Sequence, residues 1–209
     1  MAKIKICGLK REEDIEFVNE FMPDYIGFVF ANTRRRVEDE KARELKNQLN
    51  PEIQAVGVFV NDDMKHVSWL ANEGIIDVIQ LHGDEDNEYI DALRKLTDKK
   101  IIKAIRVKDA ASIEQGRKFR ADYLLLDTFV QKDVYGGTGK TFDRTLIPDD
   151  IGDYFLAGGL SADNLEQALS ECNPYAVDLS SSVETDGVKD REKIKEVIEI
   201  VRNEITPAV

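Results

Sequence analysis

The sequence predicts an α/β protein folded as a (β/α)8 barrel, the TIM-barrel architecture. Short, continuously apolar runs alternate with amphipathic, charge-rich segments. Eight such pairs can be read, and they follow one another without a change of rhythm. The 209 residues allow about 26 per unit, which is lean for a barrel and excludes long insertions. No linker or low-complexity stretch interrupts the pattern, so residues 1–209 read as a single domain. The competing architecture is an open, doubly wound sheet, and eight regular units favour closure.

The predicted strands are Lys3–Ile6, Tyr25–Phe30, Gln54–Val60, Val78–Leu81, Ile101–Ile105, Tyr123–Leu126, Tyr154–Ala157 and Ala176–Leu179. Most are apolar throughout, as strands covered on both faces must be. The helices between them are Glu12–Phe21, Glu38–Leu49, Met64–Asn72, Glu88–Leu96, Ser112–Phe119, Ala162–Glu171 and Lys189–Asn203, with Ser161 and Asp190 as N-caps. Thr141–Ile147 is the weakest helix, because Pro148 cuts it short.

Hydrophobic residues at 42% and charged residues at 33% describe a globular chain rather than a disordered one. The longest apolar run, Tyr25–Ala31, is far short of the ~18 residues a membrane span requires. The first residues, Met-Ala-Lys-Ile-Lys-Ile, turn charged rather than building a secretory signal. Cys7 and Cys172 suggest no disulfide framework, so a cytoplasmic location is expected. A net charge of −12 argues against nucleic acid as a partner. It also requires any anionic ligand to find a locally positive or amide-lined site.

In this architecture chemistry gathers at the C-terminal ends of the strands. Polar residues and glycines stand there against the apolar pattern: Cys7 and Gly8, Gln80 and His82, Arg106, Asp127, Gly158 and Gly159, Asp178 and Ser180 to Ser182. Each has a plain alternative. Asp127, straight after Leu124–Leu126, is either functional or a paired structural charge. A lone cysteine such as Cys7 usually behaves as a small buried hydrophobe. Asp178 can serve simply as an acceptor for loop amides. His66 and His82 lack metal-ligand spacing with the two cysteines, so no metal site is expected and His82 reads as a loop hydrogen-bonder. The run Arg34-Arg35-Arg36 is either a solvated loop or a guanidinium held over an anion at the barrel mouth. Gly139-Lys140-Thr141 matches the tail of a P-loop, but the required earlier glycine is Val134, so Gly136–Thr141 reads as a glycine-hinged loop instead.

Together these blocks resemble the phosphoribosylanthranilate isomerases. The resemblance is carried by Lys5-Ile6-Cys7-Gly8, Gly27–Phe30 with Arg36, Val56–Asn61, Gln80-Leu81-His82-Gly83 and Leu125–Thr128. It continues through Gly136–Asp143, Ala157–Leu160, Val177–Ser181 and Val183-Glu184, in family order along the chain. It implies an Amadori rearrangement of an N-phosphoribosyl aminoaldose to an aminoketose, in tryptophan biosynthesis, without cofactor or metal. Position by position it implies Cys7 as general base, Asp127 as general acid and Arg36 on the anthranilate carboxylate. Gln80, His82 and Asp178 then line the substrate, and Gly158, Gly159, Ser181 and Ser182 form the phosphate site. A thiol base would be expected to have its pKa lowered by amides and cations at the mouth.

The expected partner is one phosphorylated small molecule, with no nucleic acid and no membrane, bound by a monomer or homodimer. The chain departs from the family at Asn32–Arg35, at Arg144 in place of Trp and at Ser182 in place of Gly. Serine tolerates positive φ poorly, so Ser182 is expected at negative φ in a short helix. The rival readings are another phosphosugar isomerase or epimerase, an indoleglycerol-phosphate synthase, or a non-catalytic phosphate-binding barrel.

Overall fold

The structure is a computed structural model that describes residues 2–128 and 142–203. Eight parallel strands close into a barrel in sequence order: β1 (Lys3–Cys7), β2 (Tyr25–Val29), β3 (Gln54–Phe59), β4 (Val78–Leu81), β5 (Lys100–Val107), β6 (Tyr123–Thr128), β7 (Tyr154–Leu156) and β8 (Ala176–Leu179). β8 pairs with β1 in the register Lys5↔Asp178 and Ile6↔Leu179, which shuts the ring. Among the described residues seven α-helices lie outside it: α1 (Glu12–Phe21), α2 (Asp39–Gln48), α3 (Met64–Asn72), α4 (Asn87–Leu93), α5 (Ala110–Gly116), α6 (Ala162–Cys172) and α7 (Arg191–Asn203). None is long and apolar enough to cross a membrane.

The pleat divides the core in two. One parity of each strand faces the helices and forms the larger cluster, including Ile4, Ile6, Phe28, Phe59, Ile79, Leu126 and Val177. The other parity fills the barrel with Val56, Val78, Ile102, Leu125, Phe155 and Ala176. The N-terminal end is plugged by aromatic residues. Tyr123 stacks on Tyr175 at 5.0 Å, Tyr25 meets Phe155 edge-on at 5.4 Å, and Lys3 Nζ donates to Tyr175 Oη at 2.9 Å.

A repeated device pins that end. The aspartates just before β2, β4 and β6 each accept an amide from the preceding strand. Asp24 takes Ile4 N at 3.0 Å, Asp77 takes Ala55 N at 2.8 Å and Asp122 takes Ile101 N at 2.9 Å. Aspartates also cap the helices, with Asp63, Asp86 and Asp109 accepting first-turn amides and Asp190 accepting from Glu192 N and Lys193 N.

Three expectations are corrected. Between β6 and β7 the described residues hold only a 3-10 turn, Arg144–Leu146, in place of the expected helix, whose first residue Thr141 lies outside the described residues. The glycine-hinged loop Gly136–Thr141 lies outside them as well. Lys189 does not start α7; it belongs to a small antiparallel hairpin, β9 (Glu184–Thr185) with β10 (Val188–Lys189), and the helix begins only after its cap. β1, β5 and β6 run one or more residues further than apolarity indicated, so Cys7 and Asp127 are strand residues with fixed direction.

His66 of α3 ties neighbouring units together. Its Nδ1 is 3.1 Å from Asp62 and its Nε2 3.1 Å from Asp39 of α2, with Trp69 stacked on the ring and Arg43 over the indole. Burial alone would lower its pKa, but the two carboxylates outweigh it and hold the imidazole above its ordinary value. A pKa raised on folding contributes stability below the unfolded value of about 6.5, lost as pH rises through the folded value. His66→Gln should therefore lower the melting temperature most at pH below about 6, with the gap to wild type closing above the folded pKa. Melting curves of both proteins across that range check it; a gap independent of pH counts against it.

Candidate active site

The inward-facing residues nearest the C-terminal end of the barrel form a polar rim. β1 contributes Cys7, β4 Gln80, β6 Asp127 and β8 Asp178; Arg106 of β5 is in register with Asp127. Cys7 is buried, in an apolar niche with Val29 and Val58. It has room only because its register partner on β2 is Gly27: a Cβ there would lie 2.7 Å from the sulfur.

Lys5 lies one inward position beneath Cys7, with no solvent exposure, and its ammonium donates to both Asp178 oxygens at 2.9 and 3.0 Å. Asp178 is therefore the partner of a buried cation rather than a receiver of loop amides. Burial pushes the Cys7 thiol up. Lys5 pulls against this and so, less strongly, does Lys189, while Asp178 adds to the rise. The expected lowering is thus reversed, because removal from water outweighs the nearby cations.

Asp127 faces His82, whose Nε2 is 3.4 Å from its carboxylate, and Gln80 Nε2 is 2.9 Å from His82 Nδ1. His82 is thus tied to the rim rather than to its own loop. Beneath it, buried Glu85 accepts the amides of Asn61 and Gly83 and the Lys103 ammonium, fixing the loops after β3 and β4.

Across the mouth, the loops after β7 and β8 bring Gly158 and Gly159 near the N-terminus of α6 and Ser181 to Val183 into a 3-10 turn. Gly158 has φ +85°, and a Cβ there would sit 2.3 Å from Thr128 Oγ1, so only glycine fits. Ser182 is not among the residues with positive φ, and its hydroxyl is buried without a partner among the described residues. Helix N-termini and exposed turn amides suit an anion.

The three arginines separate. Arg34 and Arg35 both bind Glu184, with Arg35 Nε at 2.7 Å and Nη2 at 3.0 Å, and Lys189 Nζ reaches the same carboxylate at 2.9 Å and Ser180 O at 2.8 Å. Arg36 follows the end of β2, half exposed, with one contact to Glu38 at 3.2 Å. Lys5, Lys189 and Glu184 were given no site role from the sequence, although Lys5 and Glu184 stand within the family motifs. A lysine inside an otherwise apolar strand was the available signal for Lys5. Nothing local marked Lys189.

Among the described residues no group of three His, Cys, Asp or Glu side chains could hold a metal ion. Proton donors and acceptors at the strand ends of a barrel, beside a glycine loop and a turn whose amides suit an anion, define the class of barrel enzymes that work by acid–base chemistry. Residues 4–200 match the family model described as N-(5'-phosphoribosyl)anthranilate isomerase. A relative of that name from Endomicrobium trichonymphae is 48% identical over 203 residues, covering 97% of this chain and all of the relative. The crystal structure of the Thermotoga maritima phosphoribosyl anthranilate isomerase superposes with a TM-score of 0.89 at 36% identity, covering 97% of this chain and 100% of that one. A second, solved with reduced 1-(o-carboxyphenylamino)-1-deoxyribulose 5-phosphate, gives 0.81 at 32% identity with the same coverage. The chain belongs to the N-(5'-phosphoribosyl)anthranilate isomerase family.

Glu184 clamps the loop after β2 to the turn after β8. Burial would raise its carboxyl, but Arg35 and Lys189 hold it down to about 2. A depressed pKa contributes stability above the unfolded value of about 4.3, lost as pH falls toward 2. Glu184→Gln should destabilise by about 3–5 kcal/mol at neutral pH, because Lys189 is left buried and unpaired. Urea midpoints should show the difference shrinking in acid; equal midpoints at pH 7 would remove the clamp.

Proposed function

We propose that the chain carries out its family's isomerisation, converting N-(5'-phosphoribosyl)anthranilate to 1-(2-carboxyphenylamino)-1-deoxyribulose 5-phosphate, with Cys7 as base and Asp127 as acid. Asp127 protonates the ring oxygen, the C1–O bond breaks, and the anthranilate nitrogen forms the C1=N bond of a Schiff base. The Cys7 thiolate takes the proton from C2, the electron pair moves into C1=C2, and the enolamine tautomerises to the C2 ketone. The supporting observation is that Cys7 and Asp127 are the last inward residues of β1 and β6, set on different sides of one mouth. His82 lies against Asp127, where it can exchange a proton with the acid between turnovers, and Gln80 orients its ring.

The phosphate is read into the turns at Gly158–Gly159 and Ser181–Ser182, where the buried Ser182 hydroxyl is an unused donor. The carboxylate is read onto Arg36, the one arginine of the run that is not engaged by Glu184. The whole chain is read as one catalytic domain, as a monomer or homodimer. A relative, the dimeric phosphoribosylanthranilate isomerase of Thermotoga maritima, has been crystallised as mutually generated monomers. A cytoplasmic location accords with two free cysteines.

Cys7→Ser and Asp127→Asn should each lower kcat by about 10²–10⁴-fold with far smaller changes in substrate affinity. Loss of phosphoribosylanthranilate fluorescence measures turnover, and a folded variant of either kind working at the wild-type rate would sink the assignment. Arg36→Ala should weaken product-analogue binding by roughly ten- to a hundredfold, the worth of one charge-assisted bond. Arg34→Ala, on the same calorimeter, should change it little; equal losses would make the run a diffuse electrostatic patch.

A further inference from the structure

A thiol buried to 8% exposure is a poor base unless something offsets the cost of its charge. The groups facing Cys7 are few. Gly27 of β2 lies opposite, and Val29 and Val58 are apolar. Lys5 precedes it on the same inward face of β1, Asp178 stands on β8, and Lys189 reaches in from the hairpin with Glu184 and Arg35 behind it. Beyond Asp178 lie Asp127 and His82, whose charges act on Asp178. Lys189 also makes two bonds, to Glu184 and to Ser180 O, but it comes from the hairpin and its charge acts on the Cys7 sulfur less strongly than that of Lys5. Lys5 is not fully committed. An ammonium has three N–H donors, and Asp178 takes two of them, one on each carboxylate oxygen. The third has no acceptor among the described residues, and Cys7 is the next side chain along the same inward face of β1, where the ammonium's charge acts on its sulfur.

A lysine wholly inside a barrel is costly to fold around, and an apolar residue would pack there as well for stability alone. Its position directly beneath the rim sulfur gives it a use. We propose that Lys5 is the positioning residue of the base: anchored through two bonds to Asp178, it presents its third N–H and its positive charge to the Cys7 thiolate. Asp178 fixes the direction of that donor and, being negative itself, limits how far the thiolate is stabilised. Burial and Asp178 thus raise the thiol's pKa, while the Lys5 charge keeps its ionised form within reach. When Cys7 ionises, its proton passes to solvent at the mouth and Lys5 keeps its own, because the carboxylate beside it holds the ammonium charged.

The inference rests on Cys7 being the base, and the two can fail separately. In a Cys172→Ala background Cys7 is the sole thiol, so its rate of alkylation by iodoacetamide against pH reports its titration without substrate. Lys5→Gln keeps a donor for Asp178 and loses the charge; Lys5→Arg keeps the charge. The midpoint should rise by about one pH unit or more in Lys5→Gln, and the ascending limb of kcat/KM should move with it. Turnover at pH 7 would then fall about tenfold or more and recover as pH is raised, which simple misplacement of the thiol would not produce. Lys5→Arg should stay close to the wild-type midpoint.

In the wild-type protein the Lys5 ¹⁵Nζ resonance should shift at the pH where alkylation is half-maximal, and not in Cys7→Ser. This keeps the test open should Lys5→Gln fail to fold. An unmoved midpoint in folded Lys5→Gln, or a flat Lys5 resonance, overturns the inference while leaving Cys7 as base. An active Cys7→Ser overturns the base itself.

Discussion

The barrel closes where β1 meets β8, and at that seam a charged pair is buried inside the ring. Lys5 and Asp178 are 173 positions apart in sequence, yet the register of the closing strands sets them side by side. Neither charge can be left alone in that interior, since an unpaired buried ion costs several kcal/mol. The pair therefore forms only in the closed ring. It also lies between two regions of different character: aromatic side chains plug the N-terminal end, while polar groups line the C-terminal end. Cys7 stands one inward step above Lys5, at the boundary between the two.

Charge is distributed in the same way. The chain carries a formal net charge of −12, but around Cys7 and the loops after β2 and β8 the structure gathers Lys5, Lys189, Arg34, Arg35 and Arg36. Asp178 and Glu184 neutralise part of this and, in doing so, hold the cations in place. Among the described residues the Arg36 side chain pairs only with the exposed Glu38. An acidic protein thereby concentrates cations, each paired with a carboxylate, at one end of the barrel. The outer acidic residues meanwhile have ordinary structural work: aspartates cap helices and pin one strand to the next.

The eight-unit rhythm was legible because a strand covered on both faces must be apolar, and every predicted strand is present. Cys7, Gln80, Asp127 and Asp178 were legible as polar residues at the ends of such runs. Their exact relation to the strand ends was less so. Apolarity marks where burial stops, whereas hydrogen bonding carries β1 through Cys7 and β6 through Thr128. The hairpin at Glu184–Lys189 was not anticipated, and its last residue, Lys189, was read as the start of a helix, because a two-residue ladder leaves no periodicity to detect. Glu184 and Lys189 were missed for the same reason. Each is an ordinary surface residue by sequence and becomes a buried partner only when Arg35 arrives from 149 positions away.

The sequence by itself determined the barrel, its order of strands, the family and the residues that stand at the mouth, because all of these follow from local pattern: apolar runs, caps and short motifs at strand ends. Only the tertiary structure decided how those residues are paired. It gave Asp178 to Lys5, His82 to Asp127, Arg34 and Arg35 to Glu184, and Arg36 to the exposed Glu38. It also decided that burial drives the Cys7 thiol up rather than down. The reason is physical. Charge pairing and removal from water depend on distance in space, and a closed ring of strands brings together residues that sequence separation alone does not relate.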